Sequence, residues 1–360
     1  MDKKLYKKIQ DRREKGTLRS LSSFDGKIDF ASNDYLGFSK NERLQSDRAE
    51  QGATGSRLIS GNSEYIEGVE SALANFFDAD AGLCFNSGYD ANIGVFSSIP
   101  QRGDVVLYDE FIHASARDGI RLSLAKSYGF KHNNLEDLKR LLELNKPQTI
   151  YIAVESLYSM HGDLCPLYEL NQLAEEYGAY VILDEAHSAG VYGVQGRGFA
   201  HALDLHSKCF LRLVTFGKAF GAHGAVVLCS NDLREFLLNF ARSFIYTTAL
   251  PISAYDKMLR AVQVEDVDQL RLSLQDKLVY FRRNLKIWDS SSAPNSPIQF
   301  INFHDLNELR KVEQALSDAG IFAKAIYSPT VAEGDEGLRI SLHSFNSEKE
   351  IDSLLRIMSV

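Results

Sequence analysis

Asp184-Glu185-Ala186-His187 closes one apolar run, Tyr180-Val181-Ile182-Leu183. Further along, Lys218 stands in Thr215-Phe216-Gly217-Lys218-Ala219-Phe220-Gly221, behind a second run, Leu211-Arg212-Leu213-Val214. Both runs have the length and apolar character of buried strands. Open parallel α/β sheets bind ligands beyond the carboxyl ends of their strands. A carboxylate, an imidazole and an amine are therefore expected along one sheet edge. A lone lysine after a strand is usually a solvated loop residue. Here Gly217 and Gly221 put little bulk over it, and Phe216 and Phe220 offer an apolar wall. Desolvation in such a setting lowers an amine's pKa and suits it to Schiff-base formation.

A buried Asp184 could keep a pyridine nitrogen protonated and so make the ring a better electron sink. His187 is placed to hydrogen-bond a ring hydroxyl or to tune that aspartate. Asn86-Ser87-Gly88-Tyr89 opens a helix after a short strand, where backbone N–H groups and the positive dipole end suit a phosphate. His113 follows another strand end, in reach of a ring-stacking or proton-transfer role, although a satisfied surface histidine is the default. Arg339 interrupts an apolar alternation, as an edge charge or as a two-pronged clamp for a carboxylate. Together these residues point to pyridoxal phosphate chemistry. Competing motifs fail on context. Asp-Glu-Ala-His also occurs in nucleotide-driven helicases, but no phosphate loop precedes it. The run 193–198 has G-x-x-G-x-G spacing and follows the Asp/His loop, so it is not a dinucleotide fingerprint. No zinc motif is present, and no metal is expected.

The elements that must position these groups alternate in type. Strands are expected near 27–31, 83–85, 105–108, 149–154, 180–183, 211–214 and 225–228, with helical stretches between them, one capped by Asn62 or Ser63. Such alternation means βαβ units and a mainly parallel sheet. The pattern stops near Pro251, and a Ser/Pro-rich loop (290–297) with mixed short elements follows. The expected organisation is an N-terminal helix and arm (1–45), a large cofactor-binding α/β domain (46–250) and a small C-terminal α+β domain (251–360). At 360 residues, two unequal domains are the better prior.

Composition narrows the class. Hydrophobic residues at 44% and charged residues at 24% are ordinary globular values. A net charge of −8 argues against a general nucleic-acid binder. The four cysteines (Cys84, Cys165, Cys209, Cys229) are widely spaced, as expected of reduced thiols in a cytoplasmic protein. No apolar run approaches the ~20 residues of a membrane span. The basic N-terminus lacks the apolar core of a signal peptide, and Leu5 and Ile9 suit a surface helix.

Taken together, the segments resemble the α-oxoamine synthases, fold-type-I pyridoxal phosphate enzymes that condense an amino acid with an acyl-CoA and release CO2. The similarity runs from about Leu18 to the C-terminus. It rests on Ser32-Asn33-Asp34-Tyr35-Leu36-Gly37, Gly55-Ser56-Arg57-Leu58-Ile59-Ser60-Gly61, Asn86-Ser87-Gly88-Tyr89-Asp90-Ala91-Asn92, Glu155-Ser156-Leu157-Tyr158-Ser159-Met160 and the two charged motifs above. The resemblance implies a seven-stranded, mostly parallel sheet in the large domain and a homodimer with active sites at its interface. It implies a Schiff base on Lys218, a ring-nitrogen partner in Asp184 and a stacked His113. His187 and Ser159 would meet the ring hydroxyl region, and Gly88, Tyr89 and Thr215 the phosphate. Thr247 or Thr248 would reach the neighbouring subunit's phosphate. Arg339 would clamp the amino-acid carboxylate, and Arg19, Asn33 and Thr330 would lie with the substrates, L-alanine and an acyl-CoA. The chain departs from the family pattern at His161, His223 and Tyr327.

Overall fold

The computed structural model describes residues 2–14, 17, 18, 21, 23, 25–47, 51–146, 148–285 and 290–359. The chain forms two compact units, one of residues 33–159 and 163–275, the other of 1–32, 160–162 and 276–360. The division falls after Gln275, within the helix Val267–Asn284, where a change of pattern near Pro251 had suggested a boundary.

The larger unit is built on seven strands: β1 (Ala81–Phe85), β2 (Val105–Asp109), β3 (Lys126–Phe130), β4 (Ile150–Glu155), β5 (Tyr180–Asp184), β6 (Leu211–Thr215) and β7 (Ala225–Cys229). Their order is β1-β7-β6-β5-β4-β2-β3. β7 runs antiparallel to β1 and β6, and every other neighbouring pair is parallel. The side-chain period of two sorts each central strand between two cores. Val105, Leu107, Ile150, Ile152, Val154, Val181 and Leu183 join one cluster, while Val106, Ala153 and Ile182 join the other. Both faces are thus covered by helices, which is why these strands read as unbroken apolar runs.

The strand count matches expectation, but one member differs. β3 was missed because its sequence, Lys-Ser-Tyr-Gly-Phe, is polar and exposed until Phe130, as befits an edge strand. The segment expected at 27–31 instead contributes only Ile28–Asp29, paired in parallel with Ile321–Phe322 in the smaller unit.

The smaller unit centres on an antiparallel sheet in which Gly337–Ser341 lies between Lys324–Ile326 and Ile298–Asn302. The helices Leu306–Asp318 and Glu348–Met358 complete it; Ser347 and Glu350 cap the second reciprocally. The N-terminal helix Lys3–Glu14 is present and has no buried residue. Among the described residues no helix is long and apolar enough to cross a membrane.

Candidate active site

Because β1, β2, β4, β5 and β6 run the same way, their carboxyl ends meet at one edge. A cavity of about 150 Å³ opens there, lined by Gly88, Tyr89, Asn92, His113, Ser115, Glu155, Asp184, Ala186, His187, Leu213, Thr215 and Lys218. Seven of the residues singled out from the sequence therefore share one wall: Gly88, Tyr89, His113, Asp184, His187, Thr215 and Lys218. Each comes from a strand end or the first turn after it.

Asp184 is the last residue of β5 and is almost fully buried. Its Oδ1 accepts the Ala186 N–H at 2.9 Å, and its Oδ2 accepts the Asn92 amide at 2.9 Å. Those bonds fix the orientation of the carboxylate. Beside it in register stands Glu155, at the end of β4 and 3% exposed. Burial raises the Glu155 carboxyl to about 8, the Asp184 charge adds to that, and the Lys218 charge and the His113 and Ser159 backbone N–H groups oppose it. Its Oε1 has no hydrogen-bond partner. Glu155 was not singled out as a site residue, although it closes an apolar run as Asp184 does and could have been found by the same signal.

Lys218 Nζ lies 2.7 Å from His187 Nε2. The other ring nitrogen, Nδ1, lies 2.7 Å from the hydroxyl of the fully buried Tyr35, which donates to Asn33 Oδ1 at 3.1 Å. A phenol has one proton, and Tyr35 commits it to Asn33. With the phenol proton on that path, His187 holds its own proton on Nδ1 and Nε2 is left to accept from Lys218 Nζ. Tyr35 was not foreseen as a site residue, although its motif had been noted.

His113 caps the helix Ala114–Leu122, its Nδ1 accepting the Ser115 N–H at 3.2 Å. Burial depresses its pKa; Asp184 raises it and Lys218 lowers it further. Gly88 begins the helix Gly88–Ser98, and Ser87 Oγ caps it by accepting the Asp90 N–H. Gly88 and Tyr89 carry the other first-turn amides at the cavity wall, a ready anion site.

Two expectations need correction. Phe216 and Phe220 do not wall the lysine. They are fully buried, pack against each other at 5.1 Å, and Phe220 meets Phe77 edge-on. Gly221 is not there to uncover Lys218 either. Its φ is +55°, and a Cβ would run into the backbone of Phe38 and Ser39, so the glycine permits a close crossing of two loops.

The other expected residues are not among those that line the cavity. Thr247 Oγ1 and the Thr248 carbonyl both accept from the Asn86 side chain, at 3.0 and 2.9 Å, which ties them to the turn before Gly88. Ser159 ends its stretch of the larger unit. Arg339 and Thr330 belong to the smaller unit, where the buried Arg339 donates to Ser341 Oγ at 3.1 Å. Arg19 lies outside the described residues. Of the departures, Tyr327 donates to Glu313 at 2.9 Å, the His161 carbonyl accepts from Ser292, and His223 is exposed.

The charge set fits pyridoxal phosphate: an amine, a buried carboxylate held by two donors, a histidine and a helix N-terminus share one cavity. Comparison with known proteins agrees. Residues 25–357 match the family of aminotransferases of class I and II. An 8-amino-7-oxononanoate synthase of Emericella nidulans is 39% identical, over 99% of this chain and 94% of its own. One from Lysinibacillus sphaericus is 34% identical, over 99% and 97%. Among solved structures, serine palmitoyltransferase of S. paucimobilis, with a bound PLP–myriocin aldimine, superposes with a TM-score of 0.89 at 26% identity, covering 99% of this chain and 96% of that one. The 8-amino-7-oxononanoate synthase of Francisella tularensis gives 0.80 at 31%, over 93% and 97%. The chain belongs to the aminotransferase class I and II family, as a pyridoxal-phosphate-dependent transferase of the α-oxoamine synthase type.

Proposed function

We propose that the protein condenses L-alanine with a pimeloyl thioester, giving 8-amino-7-oxononanoate, CO2 and the free thiol, CoA when pimeloyl-CoA is the donor. The observation that carries the chemistry is the convergence of Lys218, Asp184 and His113 on one cavity at the strand ends. The substrate assignment is supported by the relatives named above.

Bound pyridoxal phosphate supplies an electron sink for the pair left at Cα. Asp184, fixed by Ala186 and Asn92, would hold the proton on its ring nitrogen, and the first-turn amides at Gly88 and Tyr89 would take its phosphate. Lys218 would hold the cofactor, and its amine would be the base for the Cα proton of the amino acid. His187 steers that amine through the 2.7 Å bond to Nε2. His113 would stack on the ring, and its lowered pKa keeps it neutral at pH 7, so it would add no charge against a protonated ring nitrogen. Arg339 receives the amino-acid carboxylate, with Arg19, Asn33 and Thr330 toward the substrates. The working state is a homodimer in the reducing cytoplasm, in which Thr247 or Thr248 would reach the phosphate held by the partner subunit.

Borohydride reduction of the yellow protein should label Lys218, and Lys218→Ala should abolish turnover. Alanine, glycine and serine should then be crossed with pimeloyl-, acetyl- and palmitoyl-CoA, read by thiol release. One methyl separates alanine from glycine, worth about 1–3 kcal/mol in a fitted pocket, so that preference is relative. A higher kcat/KM for serine with palmitoyl-CoA, or for glycine with acetyl-CoA, would overturn the substrate assignment and leave the reaction type standing.

A further inference from the structure

Between Asp184 and His113 sits Asn92, on the helix Gly88–Ser98, 3% exposed. Its amide nitrogen is 2.9 Å from Asp184 Oδ2 and 3.0 Å from Ser115 Oγ. Ser115 is fully buried, and its Oγ is 2.7 Å from His113 Nδ1. The protons along this row have one consistent arrangement. A carboxylate only accepts, so Asn92 turns its NH2 toward Asp184, and its second hydrogen goes to Ser115 Oγ. The serine hydroxyl then has its own proton to give to His113 Nδ1. That nitrogen already accepts the Ser115 backbone N–H, which requires a lone pair there. The His113 proton is left on Nε2.

The geometry points to Asn92 as a positioning residue that joins Asp184 and His113 into one unit, orienting the carboxylate directly and, through the Ser115 hydroxyl, reinforcing the Nε2–H tautomer of His113 that the Ser115 backbone N–H also favours. The assignment rests on the pyridoxal phosphate reading for what the unit does, but the tautomer exists with or without cofactor. It also explains why an amide is needed in this helix. A carboxylate at position 92 would repel Asp184, and a hydroxyl has a single hydrogen and cannot serve both branches.

Three proteins separate the branches: wild type, Ser115→Ala and Asn92→Leu, the last similar in volume but without hydrogens to donate. Imidazole ¹⁵N spectra of histidine-labelled protein, loaded and unloaded, report the His113 tautomer. The pH dependence of the bound cofactor's visible absorbance, and its dissociation constant, report Asp184. Wild type should show a bare Nδ1 and a protonated Nε2. Both variants should move the ring-nitrogen signals part of the way toward averaged values, since one of the two groups holding Nδ1 is lost while the backbone N–H of residue 115 remains. Only Asn92→Leu should also move the absorbance transition and weaken pyridoxal phosphate binding, by about 10- to 100-fold for one lost bond to a charged group. A purely structural role would leave the tautomer and the absorbance transition in place. An unchanged His113 tautomer in Ser115→Ala overturns the proposal, and that small substitution keeps the test valid should Asn92→Leu fail to fold. Equal absorbance shifts in the two variants would also overturn it. If wild type bound no pyridoxal phosphate, the cofactor reading would fall, while the tautomer in the unloaded protein would still decide the role of Asn92 and Ser115.

Discussion

Raising the pH should unfasten the loop that follows β4, through a histidine outside the cavity. His132 lies between two carboxylates, Nδ1 at 2.8 Å from Asp109 and Nε2 at 2.6 Å from Asp163, with Phe111 stacked on its face at 4.3 Å. Burial works against its charge, but the hydrogen bonds and charges of Asp109 and Asp163 prevail and raise its pKa from 6.5 to about 9. The folded chain thus holds this proton more tightly than the unfolded chain. The stabilisation is complete below pH 6.5 and lost as pH climbs through about 9. At 1.36 kcal/mol per pH unit the gap corresponds to roughly 3 kcal/mol. The ring and Asp163 retain 18% and 22% of their exposure, so solvent screening reduces this to about 1–2 kcal/mol. Urea unfolding of wild type and His132→Asn, followed from about pH 6 to pH 10, measures it. The stability difference between the two proteins should be widest below neutrality and should close near pH 9 to 10. A difference that stays constant across this range would refute the reasoning, as would a His132 NMR titration with a midpoint near its ordinary value.

Other perturbations have defined signs. Glu155, raised from 4.5 to about 8, destabilises the fold increasingly as pH rises through that interval. Glu155→Gln should therefore gain on wild type between those pH values in urea midpoints, with little difference below them. Gly198 has φ +108°, and a Cβ there would stand 2.5 Å from Glu185 Oε1. Gly198→Ala should cost at least about 1–3 kcal/mol in unfolding free energy. Arg212 Nη1 meets Glu185 Oε2 at 3.3 Å with both side chains buried, so Arg212→Met leaves a buried charge alone and should cost about 3–5 kcal/mol by the same measurement.

The sheet was legible because its central strands are buried on both faces, so apolar runs such as those ending at Asp184 and Thr215 announce themselves. β3 was not legible, since an edge strand answers to solvent and carries no such run. Within the site, Lys218, Asp184, His113 and His187 could be read from charge placed after a strand. Asn92, Ser115 and Tyr35 could not. Their importance lies in hydrogen bonds to partners 23 to 152 residues away, which no local pattern encodes. The glycine run 193–198 has a packing explanation: Gly196 approaches Gly190, and Gly198 approaches Glu185.

The loop carrying Asn33 and Tyr35 has a property that follows from its single phenolic proton. With the phenol proton on Asn33, every donor in the row Lys218, His187, Tyr35, Asn33 points away from the lysine. Were Tyr35 to turn its proton toward His187, the imidazole would have to move its own to Nε2, and Asn33 would have to present its NH2 in place of Oδ1 for the last link to reverse as well. Nε2–H would then face Nζ, and an amine can accept that bond only when it is neutral. The row therefore behaves as a polarity line with two settings, one matching a charged lysine and the other a lysine ready to take a proton. Asn33 stands at its far end, its amide accepting in one setting and donating in the other.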